Sequence, residues 1–122
     1  MALQNLNHFL VLADDLAATR DFYVEVLGLR VGDRPPFPFP GFWLYLGDRP
    51  VVHLAAGGGE QSPSGSGPID HIAFEATGHD AMVASLKQRG LAFSQRQVPD
   101  SPLRQIFLHD PNGVKIELNY PH

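Results

Sequence analysis

Residues 22–29 read FYVEVLGL, an amphipathic run that ends on a glycine followed by a leucine. The large apolar side chains of this run fall on one face of a helix, and Gly28 is the residue type that most often ends one. Asp14 and Asp15, placed before the run, carry side chains that cap helix starts well. The stretch therefore predicts a helix from about residue 15 to Gly28.

Short extended runs surround this helix and define the first half of the chain. One strand is predicted before the helix and three after it, at residues 5–12, 29–31, 42–46 and 51–55. Residues 57–68 follow; they are rich in Gly, Ser and Pro and lack periodicity, which is typical of a linker. The first half is thus a β-α-β-β-β module over about residues 1–58.

The second half repeats the same order of elements. Its predicted strands lie at residues 69–76, 91–98, 105–109 and 114–120, and its helix begins near Thr77 and ends at Gly90. Gly28 and Gly90 are 62 residues apart, His8 and His71 are 63 apart, and His53 and Glu117 are 64 apart. The agreement predicts a duplication. We expect a single α+β domain over residues 1–122, in which two tandem β-α-β-β-β modules, the second over about residues 69–122, form a curved mixed sheet.

The repeat places chemically active residues at equivalent positions. The chain has 6 histidines and no cysteine. His8 and His71 take the same place in the first strand of each half, and His53 and Glu117 take the same place in the last. If the halves face each other across a two-fold axis, these four side chains converge on it. Imidazole and carboxylate suit Fe²⁺, Mn²⁺, Ni²⁺ and Zn²⁺, so the pattern favours a metal site.

Composition excludes several other classes of function. The chain carries 13 acidic and 9 basic residues, a net charge of −4, and no Lys/Arg cluster, which argues against nucleic acid as a partner. No apolar stretch reaches the roughly 20 residues that span a bilayer, and the N-terminal residues lack the pattern of a signal peptide. We expect a cytoplasmic protein with no membrane partner.

Four stretches together resemble the vicinal oxygen chelate superfamily. They are LNHF at residues 6–9, FYVEVLGL at 22–29, IDHIAF at 69–74 and DPNGVKIEL at 110–118. This superfamily includes glyoxalase I, extradiol dioxygenases, methylmalonyl-CoA epimerase, fosfomycin-resistance enzymes and bleomycin-resistance proteins. The resemblance implies that His8, His71 and Glu117 are metal ligands. It also implies a homodimer, with each metal site either within one chain or shared between two.

The resemblance leaves two roles open for His53. At the similar position glyoxalase I has a fourth ligand, normally a carboxylate, whereas extradiol dioxygenases have an acid/base histidine nearby. His53 fits the second role better, as a general base. Phe107, however, stands where those dioxygenases usually carry a tyrosine.

The predicted metal site and the resemblance together favour a divalent-metal enzyme, and the resemblance implies a small substrate that binds through two adjacent oxygens. Fe²⁺ and an aromatic diol are slightly favoured, and Ni²⁺, Zn²⁺ or Mn²⁺ with glyoxalase I-type lyase or isomerase chemistry is the alternative. A further alternative is a metal-free protein that binds a drug, as bleomycin-resistance proteins do. The substrate itself is not predicted.

A Pro-rich loop and several charged residues lie outside the proposed site. Residues 34–43, RPPFPFPGFW, form an apolar loop that predicts either a wall over an aromatic substrate or a dimer contact. Arg49, Arg96 and Arg104 can meet a substrate carboxylate but are expected as surface charges. His109 is expected as a solvated turn residue.

Overall fold

The computed structural model describes residues 4–57, 69 and 71–121. The chain divides into two compact units, Met1–Gln61 and Ser62–His122, and each has one four-stranded mixed sheet and one helical segment. The predicted α+β class and the repeated β-α-β-β-β order are confirmed. The predicted linker at residues 57–68 lies, except for Gly57, outside the described residues. No described helix is long and apolar enough to cross a membrane.

The first unit follows the predicted order of elements. Its strands are β1 (Phe9–Ala13), β2 (Arg30–Gly32), β3 (Gly41–Leu46) and β4 (Arg49–Ala56). Their spatial order is β1-β4-β3-β2, with β1 parallel to β4 and the other neighbours antiparallel. Helix α1 (Leu16–Asp21) continues into a π-helical segment, Phe22–Val26. Asp15 caps the helix, as expected, by accepting the Ala18 N–H at 3.0 Å.

The core of the first unit lies between the helical segment and one face of its sheet. Alternation along each strand sends every second side chain to that face. The buried apolar side chains are Val11, Ala13, Phe22, Tyr23, Leu29, Leu44, Val52 and Leu54. The opposite face carries Leu10, Trp43 and His53, so the sheet has one face for the core and one open face for a site.

Strand β1 begins later than predicted, at Phe9 rather than at residue 5. Phe9 is opposite Val52 in the parallel ladder with β4, so pairing two residues earlier would meet Pro50, which has no N–H to donate. The Leu6 carbonyl accepts a hydrogen bond from the Arg49 side chain at 3.1 Å instead. His8 consequently precedes the strand and is exposed.

The second unit has the same architecture. Its elements are β5 (His71–Glu75), α2 (His79–Gln88), β6 (Ser94–Gln97), β7 (Arg104–His109) and β8 (Lys115–Tyr120). The sheet order is β5-β8-β7-β6, with β5 parallel to β8. The core contains Leu86, Ile106, Leu108, Val114, Ile116, Leu118 and Tyr120. Alternation along β8 therefore places Lys115, Glu117 and Asn119 on the open face.

The turn between β7 and β8 fixes that alternation. The buried Asp110 carboxylate accepts the N–H groups of Asn112 at 2.7 Å and Val114 at 2.9 Å. Gly113 adopts φ 85°, which favours glycine. The turn lies between the two predicted strands, at residues 110–113, and its hydrogen bonds determine which residues of β8 face outward.

Tyr120 has a fully buried ring in the second core, and its hydroxyl has no hydrogen-bond partner within the described part of the chain. Burial raises the pKa of this phenol. An unpaired buried hydroxyl costs free energy of folding. We expect Tyr120→Phe to leave the free energy of unfolding unchanged or raise it by up to about 1 kcal/mol, measured by urea denaturation. A clear loss of stability would show that the hydroxyl has a partner.

Candidate functional site

Three rings form a continuous stack on the open face of the first sheet. The His53 ring lies 3.8 Å from the His8 ring, at an interplanar angle of 12°. On its other face it lies 4.0 Å from the Trp43 ring, at 13°. Trp43 is directly opposite His53 in the β3/β4 ladder, so the strand register itself brings these two rings together. Both faces of the imidazole are covered, which restricts its rotation.

A hydrogen bond assigns the tautomer of His53. Its Nε2 lies 3.1 Å from the carbonyl oxygen of Pro50, and a carbonyl oxygen can only accept. Nε2 therefore carries the hydrogen and donates it. In the neutral ring Nδ1 is then the atom with a lone pair, and it is the atom that can accept a proton or bind a cation.

His8 is oriented in the complementary way. Its Nδ1 lies 2.7 Å from Oδ1 of Asn7, so the ring donates from Nδ1 to the amide oxygen. Nε2 then carries the lone pair. Metal-binding histidines commonly donate their second nitrogen to such an oxygen, which fixes the tautomer and makes the ligand more basic. His8 thus has the hydrogen bonding that its predicted role requires.

The surroundings of His53 favour its neutral form. Burial lowers the pKa of His53, the nearby His8 lowers it further, and the hydrogen bond to Pro50 partly opposes both effects. Because the pKa of His53 is lower in the folded state than in the unfolded chain, the folded protein binds this proton less tightly. The free energy of unfolding is therefore unaffected above the ordinary histidine pKa, and it decreases as the pH falls from that value through the folded-state pKa. At neutral pH His53 is an uncharged base.

Trp43 is the only tryptophan in the chain and reports on this ring. Because a protonated imidazole quenches a stacked indole, we expect acidification of the chelator-treated protein to quench Trp43 fluorescence with a midpoint below about 6.5. Fluorescence titration measures the midpoint, and His53→Gln should remove this transition. A midpoint at or above that of free histidine would contradict the lowered pKa.

A cavity of about 480 Å³ opens beside this stack and is lined mainly by apolar groups. Phe37 and Phe39 form part of its wall, with their rings stacked 5.1 Å apart, and Phe37 lies 6.4 Å from Trp43. His8 and His53 line the same cavity. An aromatic wall beside two imidazoles suits a flat apolar ligand that carries a few polar atoms.

Arg34 holds the Pro-rich loop in place. Its guanidinium donates to the carbonyl oxygens of Gly41 and Phe39, both at 3.0 Å, and lies within 5.4 Å of the Phe37 and Phe39 ring centres. Gly41 itself lies where a Cβ would stand 2.3 Å from the Leu54 carbonyl oxygen, so the loop can re-enter the sheet here only with glycine. These contacts pre-organise the aromatic wall.

The second unit holds the other predicted pair. His71 Nε2 lies 3.4 Å from Glu117 Oε1, and the Glu117 side chain is only 14% exposed. Two ligands that bind one cation at the usual bond lengths lie about 3 to 3.5 Å apart, so this separation fits a shared metal ion. Glutamate side chains usually lie at the surface, whereas the Glu117 carboxylate is mostly buried beside an imidazole.

Two residues that the sequence did not indicate orient Glu117. Asn119 donates from Nδ2 to Glu117 Oε2 at 2.8 Å, and Gln105 donates from Nε2 to Asn119 Oδ1 at 3.0 Å. Such outer hydrogen bonds are typical of metal-binding carboxylates. The sequence signal for Asn119 was its alternation with Glu117 along β8.

The predicted site residues therefore occur as two pairs, one in each unit: His8 with His53, and His71 with Glu117. Over residues 4–57, 69 and 71–121 the structure has no group of three or more His, Asp or Glu side chains arranged to hold a metal ion. The donor types and hydrogen bonds of His8, His71 and Glu117 fit a divalent cation. The three-residue ligand set stays a prediction.

Phe107 is directly opposite Glu117 in the β7/β8 ladder, on the open face of the second sheet. Phe107, which replaces the tyrosine usual in extradiol dioxygenases, is thus a close neighbour of the proposed ligand Glu117. A phenylalanine here can pack against a ligand but can neither donate nor accept a proton.

Comparison with known proteins decides the family. The model of the Glyoxalase/Bleomycin resistance protein/Dioxygenase superfamily matches residues 5–118. The chain belongs to this superfamily. It is 30% identical to Glyoxylase I 4 of Arabidopsis thaliana over 122 residues, which cover 95% of this chain and 70% of that protein. It is also 30% identical to the mitochondrial methylmalonyl-CoA epimerase of Bos taurus, over 95% of this chain and 74% of that protein.

Solved structures of this superfamily share the fold. A glyoxalase family protein from Bacillus anthracis matches with a TM-score of 0.81 and 21% identity, over 100% of this chain and 98% of that one. TnmS3, an antibiotic-binding protein from Streptomyces sp. CB03234, matches with a TM-score of 0.74 and 26% identity, over 100% and 99%. The superfamily thus includes both enzymes and binding proteins that are similar to this chain.

Proposed function

We propose that this member of the superfamily is a divalent-metal-dependent enzyme whose small substrate binds through two adjacent oxygens. The observation that carries the proposal is the contact of His71 with a Glu117 carboxylate that Asn119 orients. We assign His71, Glu117 and His8 as the metal ligands, the His8 being that of the same chain or of a second copy. When bound, the metal supplies Lewis-acid stabilisation of negative charge that develops on a substrate oxygen.

His53 is the proposed general base, through Nδ1. Its pKa is lowered by burial and by His8, so it is neutral and ready to accept a proton at neutral pH. The rings on its two faces and the hydrogen bond to Pro50 keep the imidazole in one orientation. Its alternative role is that of a fourth ligand through the same atom.

The aromatic wall favours an aromatic diol as substrate, with Fe²⁺ as the metal and ring oxidation as the reaction. Phe37, Phe39 and Trp43 offer ring faces and edges to such a molecule, and Arg34 keeps the loop that carries two of them in place. In this reaction His53 would remove a proton from a hydroxyl of the diol.

Glyoxalase I-type isomerisation or a related proton transfer is the second candidate. Phe107 favours it, because this residue cannot supply the acid that a tyrosine would provide beside Glu117. The two 30%-identical relatives, a glyoxalase I and an epimerase by name, also favour it. Here His53 would remove a proton from carbon, and Ni²⁺ or Zn²⁺ would be the expected metal.

A metal-free binding protein is the third candidate, and the likeness to the antibiotic-binding TnmS3 together with the aromatic cavity favours it. In each case we propose a cytoplasmic homodimer. Light scattering on the purified protein tests the oligomeric state.

Reconstitution with single metals distinguishes the three candidates. If the first candidate is correct, protein loaded with Fe²⁺ under anaerobic conditions should consume oxygen once air and a catechol are added. If the second candidate is correct, the Ni²⁺ or Zn²⁺ form should turn over a hemithioacetal. Metal-loaded His53→Gln protein is the matched control in both assays. Binding of aromatic compounds by chelator-treated protein, without turnover in any metal form, would overturn the enzyme proposal in favour of a binding protein.

A further inference from the structure

A second cavity, of about 500 Å³, lies on the open face of the second unit's sheet. The strand register creates it: Ser94 is opposite Phe107, and His109 is opposite Lys115. Arg96, two residues after Ser94, extends from the same strand face and completes the polar lining.

Positive charge is concentrated in this cavity. Arg96 and Lys115 line it, and no Asp or Glu is among its lining residues. This contrasts with the chain as a whole, which has 13 acidic and 9 basic residues. A small cavity of this kind attracts anions, because its low-dielectric walls strengthen the local field.

The guanidinium of Arg96 differs from those of the other arginines. Within the part of the chain that the structure describes, it makes no hydrogen bond, ion pair or ring contact. Each of the other six contacts a protein group: Arg20 contacts Asp21, Arg30 contacts Gly47, Arg34 contacts Gly41, Arg49 contacts Leu6, Arg89 contacts Ser85 and Arg104 contacts Asp80. Arg96 therefore keeps its donors available for a ligand.

Phe107 positions the second cation. The Lys115 ammonium lies 5.1 Å from the centre of the Phe107 ring, within the range of a cation–π contact. Phe107 is in turn opposite Glu117, whose two oxygens are already engaged by His71 and Asn119. An anion held by Lys115 and Arg96 would thus lie beside the proposed metal ligand without competing for its donors.

We propose that this cavity binds an oxyanion, a phosphate or carboxylate group at one end of a small molecule. Arg96 offers a planar pair of N–H donors, Lys115 a point charge, and Ser94 and His109 further donors. The cavity is much larger than one phosphate, so the rest of the molecule fits against the Phe107 ring. That this anion is the charged end of the substrate rests on the proposed function; the anion site itself does not.

Titration of chelator-treated protein with inorganic phosphate tests the site. Chelation removes any bound metal, so the phosphate can bind only to cationic side chains of the protein. Amide shifts in ¹H–¹⁵N spectra are followed at constant ionic strength, with acetate as the carboxylate probe and chloride as the reference. We expect saturable shifts around Ser94, Phe107 and Lys115 with one or both probes. Arg96→Gln should weaken the binding about tenfold or more, since it removes a charge-assisted hydrogen bond.

Arg89→Gln is the matched control, because it removes the same charge from an exposed helix end that does not line the cavity. It should leave the dissociation constant unchanged. Lys115→Met, which keeps an unbranched stem over Phe107, should weaken binding like Arg96→Gln. Equal binding by the Arg96 and Arg89 variants, or shifts that do not saturate, would overturn the proposal. Phosphate binding by a protein that takes up no metal would support this site and contradict the proposed function.

Discussion

Glu117→Gln is expected to lower the affinity for divalent metal by more than about 100-fold, because loss of even an outer-shell partner typically costs 10- to 100-fold. The substitution keeps an amide oxygen that can accept from Asn119, so the fold of the second unit should be retained. It removes the negative charge that a cation needs beside His71. Isothermal titration with Zn²⁺, and Fe²⁺ binding under anaerobic conditions, measure the change.

Glu25→Gln is the control, since Glu25 is an exposed carboxylate of the first unit's helical segment and lines neither cavity. It should bind metal as the wild-type protein does. Asn119→Ala should give an intermediate loss of about 10- to 100-fold, since it removes only the group that orients Glu117. Metal affinity unchanged by Glu117→Gln would remove Glu117 from the ligand set.

His53→Gln is expected to lower kcat by about 10²- to 10⁴-fold while the bound metal is retained, which is the usual contribution of a general base. Glutamine can still donate to the Pro50 carbonyl but cannot take up a proton. Steady-state turnover, with metal content measured on the same sample, separates the two effects.

Trp43→Phe is the matched control for His53, because a phenyl ring can still cover the imidazole at the same ladder position. It should keep most of kcat, and any loss of its contact with the substrate should appear in KM. Loss of metal together with turnover in His53→Gln would make His53 a fourth ligand instead of a base. Unchanged turnover would exclude both roles.

The sequence was sufficient for the repeated architecture, because local chemistry encodes it. Asp15 caps α1 and Gly28 follows the helical segment with φ 83°, in the left-handed region, so the predicted helix is observed at nearly the predicted place. Asp110 forms the last turn through hydrogen bonds to residues only two and four positions away. Features determined by near neighbours in the chain can be found without knowing how strands pair.

The pairing of strands determines the details that sequence did not predict. The stack of His53 on Trp43 depends on their being directly opposite in β3 and β4, and the sequence does not give that register. The same holds for Gln105, which is opposite Asn119 and reaches Glu117 only through it. Arg96 and His109 are exposed, as expected, and they line one cavity for the same reason.

The role of the Pro-rich loop, residues 34–43, depends on side-chain contacts that the sequence does not predict. Its sequence suits a wall over a ligand and a dimer contact equally well. Arg34 bonds to the carbonyls of Gly41 and Phe39, and the aromatic rings of the loop line a cavity that His53 also lines. These contacts support its role as a wall.

Metal content of the wild-type protein tests the central claim most directly. The protein is purified without oxygen and without an affinity metal, dialysed, and its metals and protein are quantified by mass spectrometry and amino-acid analysis. With His8, His71 and Glu117 as ligands, we predict one divalent metal ion per chain, lost in Glu117→Gln and kept in Glu25→Gln. A wild-type protein that contains no metal, and takes up none when Fe²⁺, Ni²⁺, Zn²⁺ or Mn²⁺ is supplied, would contradict the claim.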